Sequence, residues 1–163
     1  MIEHRPSLAL TAGRPLSLGD RCGTWPLQVA PQLTKVRASI EELARHRYAH
    51  PSLDPPEPSL AGVLERLALV VSELGGNALR HGQAPVVVSL SRLHGGWLLN
   101  VADGDVDSRP EVHPSAELGH RHGLQVVAIV SDQVGWYVAD GAKNVWAVVP
   151  DNTPAGLADL ISF

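Results

Sequence analysis

Apolar positions recur at helical spacing in two long stretches and crowd into shorter runs elsewhere. From Pro31, the residues Leu33, Val36, Ile40, Leu43 and Ala44 place one apolar stripe along a helix, with the proline acceptable in its first turn. The next ten residues, "HPSLDPPEPS" (50–59), hold four prolines and form a stiff connector that no helix survives. A second and longer helix is predicted from about Leu60 to Arg80. "APVVVSLSRL" (84–93) and "GWLLNVAD" (96–103) then read as two strands around Gly95-Gly96, rich in β-branched and apolar residues. Residues 104–122 form a long polar loop of the kind that often serves as a lid or binding loop. "GLQVVAIVSD" (123–132) suits a helix through Leu124, Val127, Ala128 and Ser131, while its valines also suit a strand. A helix is preferred, because two strands (133–140 and 142–150) clearly follow across an Asp140-Gly141 hairpin.

With a short strand at 24–30, the order is β, α, α, β, β, loop, α, β, β. This predicts an α+β fold: a two-layer sandwich with helices on one face of a mainly antiparallel sheet. Residues 1–23, without sustained periodicity, read as a flexible N-terminal arm. Residues 24–150 form the domain, and 151–163 a short peripheral tail.

Composition narrows the function classes. The chain has 163 residues, 44% of them hydrophobic, and a net charge of -4, which argues against a duplex DNA binder. Eleven arginines against two lysines point to a GC-rich bacterial genome. Cys22 is the one cysteine, so no internal disulfide forms. No 18-residue apolar run and no uninterrupted signal-like core occur, so the expectation is a cytoplasmic protein without a membrane segment. His113, His120 and His122 lie close together, but no CxxC or HExxH accompanies them. Solvated loop histidines are the expectation rather than a zinc site.

The second helix carries the chemistry. Leu64, Leu67, Ala68, Val71, Gly75 and Ala78 make one stripe, expected to pack on the sheet. Glu73, Asn77 and Arg80 fall opposite, with His81 at their edge. A solvated face is the ordinary explanation of such residues. Here, however, Leu69 and Val70 make the helix apolar nearly all round one turn upstream. The polar group therefore continues a covered surface and needs partners. Gly75 and Gly76 suit something packing closely at that turn, and a bound ligand would meet both needs.

"E-L-x-x-N-A-x-x-H-G", as Glu73, Leu74, Asn77, Ala78, His81 and Gly82, resembles the N box of the GHKL (histidine kinase-like) ATPase superfamily. "NVADGD" resembles its G1 box, ending a strand at Asp103. "HRHGLQVV" resembles the G2 segment opening a helix, and "AKNVWAVV" the last strand. Within that superfamily the chain resembles the short bacterial anti-sigma factor serine/threonine kinases, over roughly Trp25 to Val149. The resemblance implies the Bergerat-type ATP-binding fold. It further implies Asn77 as a magnesium ligand, Glu73 as the catalytic acceptor of a hydroxyl proton, and Asp103 as the acceptor for the adenine amino group. Gly123 and Leu124, with Arg80, His81, Arg121 and His122, would lie at the phosphates, and Asn144 near the adenine. It implies ATP with Mg²⁺, an anti-anti-sigma (STAS-like) substrate with an exposed Ser or Thr, a sigma factor as second partner, and a homodimer. The G1 stretch lacks a second glycine, Arg121 replaces a G2 glycine, and Asn144 replaces a common threonine. These departures define the alternative, an ATP-dependent binding module with weak or no catalysis in a partner-switching pathway.

Overall fold

Alternation decides which face of each strand is buried. The computed structural model describes residues 10–48, 60–110, 123–152 and 154. Its elements are β1 (Thr11–Ala12), β2 (Asp20–Leu27), α1 (Gln32–Tyr48), α2 (Leu60–His81), β3 (Val86–Leu93), β4 (Gly96–Asp103), α3 (Gly123–Val130), β5 (Gln133–Ala139) and β6 (Ala142–Pro150). Val86, Val88 and Leu90 of β3 share one core with Trp97, Leu99 and Val101 of β4 and with Val145, Ala147 and Val149 of β6. Val36, Ile40 and Ala44 of α1, the apolar stripe of α2 from Val63 to Ala78, and Val127 of α3 close that core from the other side. The protein is thus α+β, with three helices among the described residues against one face of a six-stranded mixed sheet.

The sheet order is β1-β5-β6-β4-β3-β2. Every pairing is antiparallel except β1 with β5. α2 packs between α1 and α3 as well as on the sheet, which explains why its first half is apolar nearly all round.

Two boundaries differ from expectation. The strand expected at 24–30 runs from Asp20 to Leu27, because the backbone of this polar stretch continues the ladder to β3 from Leu27↔Val86 back to Asp20↔Arg92. It stops at Leu27 because the Gln28 and Val29 amides donate instead to Gln32 Oε1, at 2.7 and 3.3 Å, in the turn that opens α1. Residues 10–23 also contain structure that the sequence pattern does not mark. Thr11 and Ala12 pair with β5, and Gly13 O accepts from Trp146 Nε1 at 2.9 Å on the sheet face away from the helices. Pro15 is buried, and Gly19 passes against Arg92 and Leu93 at the opposite edge. The connector 50–59 lies outside the described residues.

At the Gly96 end of β4, polar side chains fasten the chain leaving β6. Arg92 makes two bonds to Asp151, at 2.7 and 2.8 Å, and stacks over Trp97 with 4.7 Å to the ring centroid. Tyr48 donates to Asp151 and accepts from Trp97 Nε1 at 2.8 Å. Arg66 of α2 donates to the carbonyls of Pro150 and Asn152, at 2.9 and 3.1 Å.

Candidate functional site

The opposite end of β4 opens into a cavity of about 790 Å³ between α2, α3 and the sheet. Three elements terminate or begin there. β4 delivers Asp103 as its last residue, α2 delivers Asn77 and His81 in its final turns, and α3 starts at Gly123. Leu74, Ala78, Val101, Leu124 and Val145 supply an apolar wall, and Asp107 to Pro110 supply the rim.

Asp103 is 3% exposed, and one of its two carboxylate oxygens is held by the loop that follows. Its Oδ1 accepts the Asp105 amide at 2.7 Å, while Oδ2 stands 3.5 Å from Lys143 Nζ. Gly82 is what admits this carboxylate: a Cβ at residue 82 would lie 2.6 Å from Asp103 Cγ and 2.7 Å from the Ala78 carbonyl. In the loop beyond, hydrogen bonds from Ser108 hold the Asp105 carboxyl below its usual range, helped by the nearby Lys143 ammonium.

The polar face of α2 is covered by the start of α3. A Cβ on Gly123 would come within 2.5 Å of Glu73 Oε2 and 3.4 Å of Asn77 Nδ2. The glycine leaves room for the Glu73 carboxylate where α3 begins, and the partly positive helix start faces it. Glu73 lies against Gly123 and is not on the cavity wall itself. Arg80 is exposed; it folds back along the helix, donating to Asn77 Oδ1 at 3.0 Å and lying over Gly76. The two helical glycines thus have protein neighbours of their own. Gly75 accommodates Leu33 of α1 and Leu27 of β2 rather than a ligand, because α1 crosses α2 at that point.

The expected site residues divide accordingly. Asn77, His81, Asp103, Gly123 and Leu124 line one cavity. Glu73 and Arg80 border it through Gly123 and Asn77. Asn144 does not join them: it pairs with Ala102 in the ladder, and its Oδ1 accepts from Asn100 on the outer face at 3.0 Å. Strand alternation sends its neighbour Lys143, cross-strand partner of Asp103, into the cavity instead. Arg121 and His122 lie outside the described residues, as do His113 and His120. Among the described residues, no group of three or more His, Cys, Asp or Glu side chains could hold a metal.

Lys143 and Arg109 are the cationic cavity residues that sequence reasoning missed. β6 is apolar on both faces, with Val145 and Ala147 on one and Trp146 and Val148 on the other, so its parity was not legible. The Asp140-Gly141 turn fixed the hairpin but not its register against β4. Comparison with known proteins adds no family: no family model matches the chain, and no curated protein matches it in sequence. No helix among the described residues is long and apolar enough to cross a membrane.

Proposed function

We propose that the chain is an ATP-binding regulatory protein of the GHKL type, a protein serine/threonine kinase like the anti-sigma factors. It would transfer the γ-phosphate of ATP to a Ser or Thr of an anti-anti-sigma partner and sequester a sigma factor, acting as a cytoplasmic homodimer. The observation that carries this reading is the meeting of Asn77, Asp103 and Gly123, from three separate elements, around one cavity with an apolar wall. A planar base suits the wall and the buried carboxylate. Phosphates suit the other end, where the start of α3 offers backbone N–H groups.

Magnesium fits the donor set. Asn77 Oδ1 is a hard oxygen whose partner, Arg80, is an exposed and movable side chain. Mg²⁺ commonly takes one or two protein oxygens and completes its shell with phosphates and water. When bound it would neutralise charge on the phosphates. Arg80, once displaced from Asn77, can face the same phosphates. Glu73 would accept the proton of the attacking hydroxyl as its oxygen bonds to the γ-phosphorus and ADP leaves with the bridging oxygen.

A second reading has its own support. Glu73 Oε2 is packed against Gly123, so the chain could use this carboxylate to fix α3 and bind ATP without transferring phosphate. Titration calorimetry with Mg-ATP tests both readings, and absence of binding sinks both. Incubation with γ-labelled ATP and a STAS-domain partner separates them. Label on that partner, lost in Glu73→Gln with ATP binding kept, supports the kinase; ATP binding without label leaves the binding module.

A further inference from the structure

Lys143 is one of only two lysines in the chain, and it is 6% exposed at the base of the cavity. It stands directly opposite Asp103, at the last rung of the β4–β6 ladder, with both side chains on the helix side of the sheet. The separation of 3.5 Å exceeds the roughly 2.7–2.9 Å of a charge-assisted hydrogen bond. Asp103 Oδ2 and Lys143 Nζ are therefore adjacent without consuming each other's hydrogen-bonding capacity. Asp103 Oδ1 is already taken by the Asp105 amide. What the cavity presents here is one acceptor beside one cationic donor, with an apolar wall formed by Ala78, Val101 and Val145.

We infer that Lys143 is a specificity-determining residue that donates to the ring nitrogen N1 of adenine, while Asp103 Oδ2 accepts from the adjacent amino group. The inference rests on the nucleotide reading above and assigns its base-recognition partner. The two groups match the adenine edge in order: the exocyclic N–H meets the carboxylate and the N1 lone pair meets the ammonium. Guanine in the same pose sets its carbonyl oxygen against the carboxylate and its N1–H against the ammonium. Turned over, it can meet both groups, but only with its ring, and so its ribose, in the opposite orientation to that of adenine.

The probe is 1-deaza-ATP, in which N1 is replaced by C–H. By calorimetry, the wild-type chain should bind it about tenfold to a hundredfold more weakly than ATP, the range for a lost hydrogen bond to a charged group. Lys143→Met should bind ATP more weakly by a similar factor and no longer distinguish the two nucleotides, while Lys143→Arg, which keeps a cationic donor, should retain discrimination. Equal wild-type affinity for ATP and 1-deaza-ATP overturns the assignment even if Lys143→Met fails to fold. Unchanged or tighter ATP binding by a folded Lys143→Met also overturns it, because the lysine would then only compete for Asp103. Failure of the wild-type chain to bind ATP at all overturns the nucleotide reading itself.

Discussion

Gly75 and Gly82 stand on and just beyond the same helix, yet the room around them differs in kind. A Cβ at residue 75 would meet Leu33 Cδ2 at 2.6 Å and Leu27 Cδ1 at 3.3 Å, both ends of side chains that can shift. Replacing glycine by alanine inside a helix gains about 1 kcal/mol, which offsets that adjustment. Gly75→Ala should leave the urea unfolding free energy within about 1 kcal/mol of wild type. At residue 82 the obstacles are the Ala78 carbonyl and the buried Asp103 carboxylate, and neither can retreat. Gly82→Ala should lose about 1–3 kcal/mol in the same measurement and, on the proposed ATP-binding reading, weaken Mg-ATP binding by calorimetry. From sequence, Gly82 was visible as the end of the N-box pattern, but its purpose was not. Helical periodicity places residues on one helix; it does not say that a strand end will bring a carboxylate against residue 82. Gly123, by contrast, was legible as an opening glycine, although the partner it makes room for, Glu73, lies 50 positions earlier in the chain.

Helix α2 links the two ends of the molecule. Near its start Arg66 holds the chain leaving β6, and in its last turns Asn77 and His81 reach the cavity. Burial lowers the Arg66 pKa, yet it stays a cation that satisfies two backbone carbonyls. Arg66→Met preserves the stem and removes those donors, so the unfolding free energy should fall by about 2–3 kcal/mol in a urea titration. The helix itself was easy to read, because 22 residues carry enough apolar repeats to define a period. β3 and β4 were legible for a related reason: their β-branched and apolar runs flank a two-glycine turn. β2 was half legible. Its hydrogen bonds to β3 include Asp20 and Arg21, residues whose side chains give no sign of a strand. The latch of Tyr48, Arg92 and Asp151 left no local trace at all, since its members stand 44 and 59 positions apart along the chain.

At the scale of the whole molecule, the same latch sets how stability follows pH. Burial, reinforced by the hydrogen bond to Asp151, pushes the Tyr48 phenol from 10.0 up to about 12. The unfolded chain sheds this proton first, so stability is complete below pH 10 and declines as pH rises from there toward 12. Tyr48→Phe should flatten that decline in urea midpoints measured across the range. Asp151 behaves in the opposite sense. Burial would raise its pKa, but the paired bonds from Arg92 and the Tyr48 hydroxyl outweigh burial and hold it below 3.8. Its contribution is present at neutral pH and disappears as pH falls through that depressed value, so Asp151→Asn should be weaker than wild type at pH 7 and change less on acidification. The two-layer architecture was legible in the order of elements. The parallel edge strand was not, because two residues joined to a segment more than 120 positions away carry no period.

That edge strand also sets a limit on length. Ala12 belongs to one margin of the sheet and Asp20 to the other, five interstrand spacings away, or about 24 Å. Eight peptide steps span at most about 26–29 Å when fully extended. The chain between them has almost no slack, so it works as a tie bar whose span is fixed by the width of the sheet. Removing one residue between Arg14 and Leu18 should free β1 from β5, seen as faster amide exchange at Gly13 and loss of the Trp146 side-chain bond. Adding a glycine there should leave both intact.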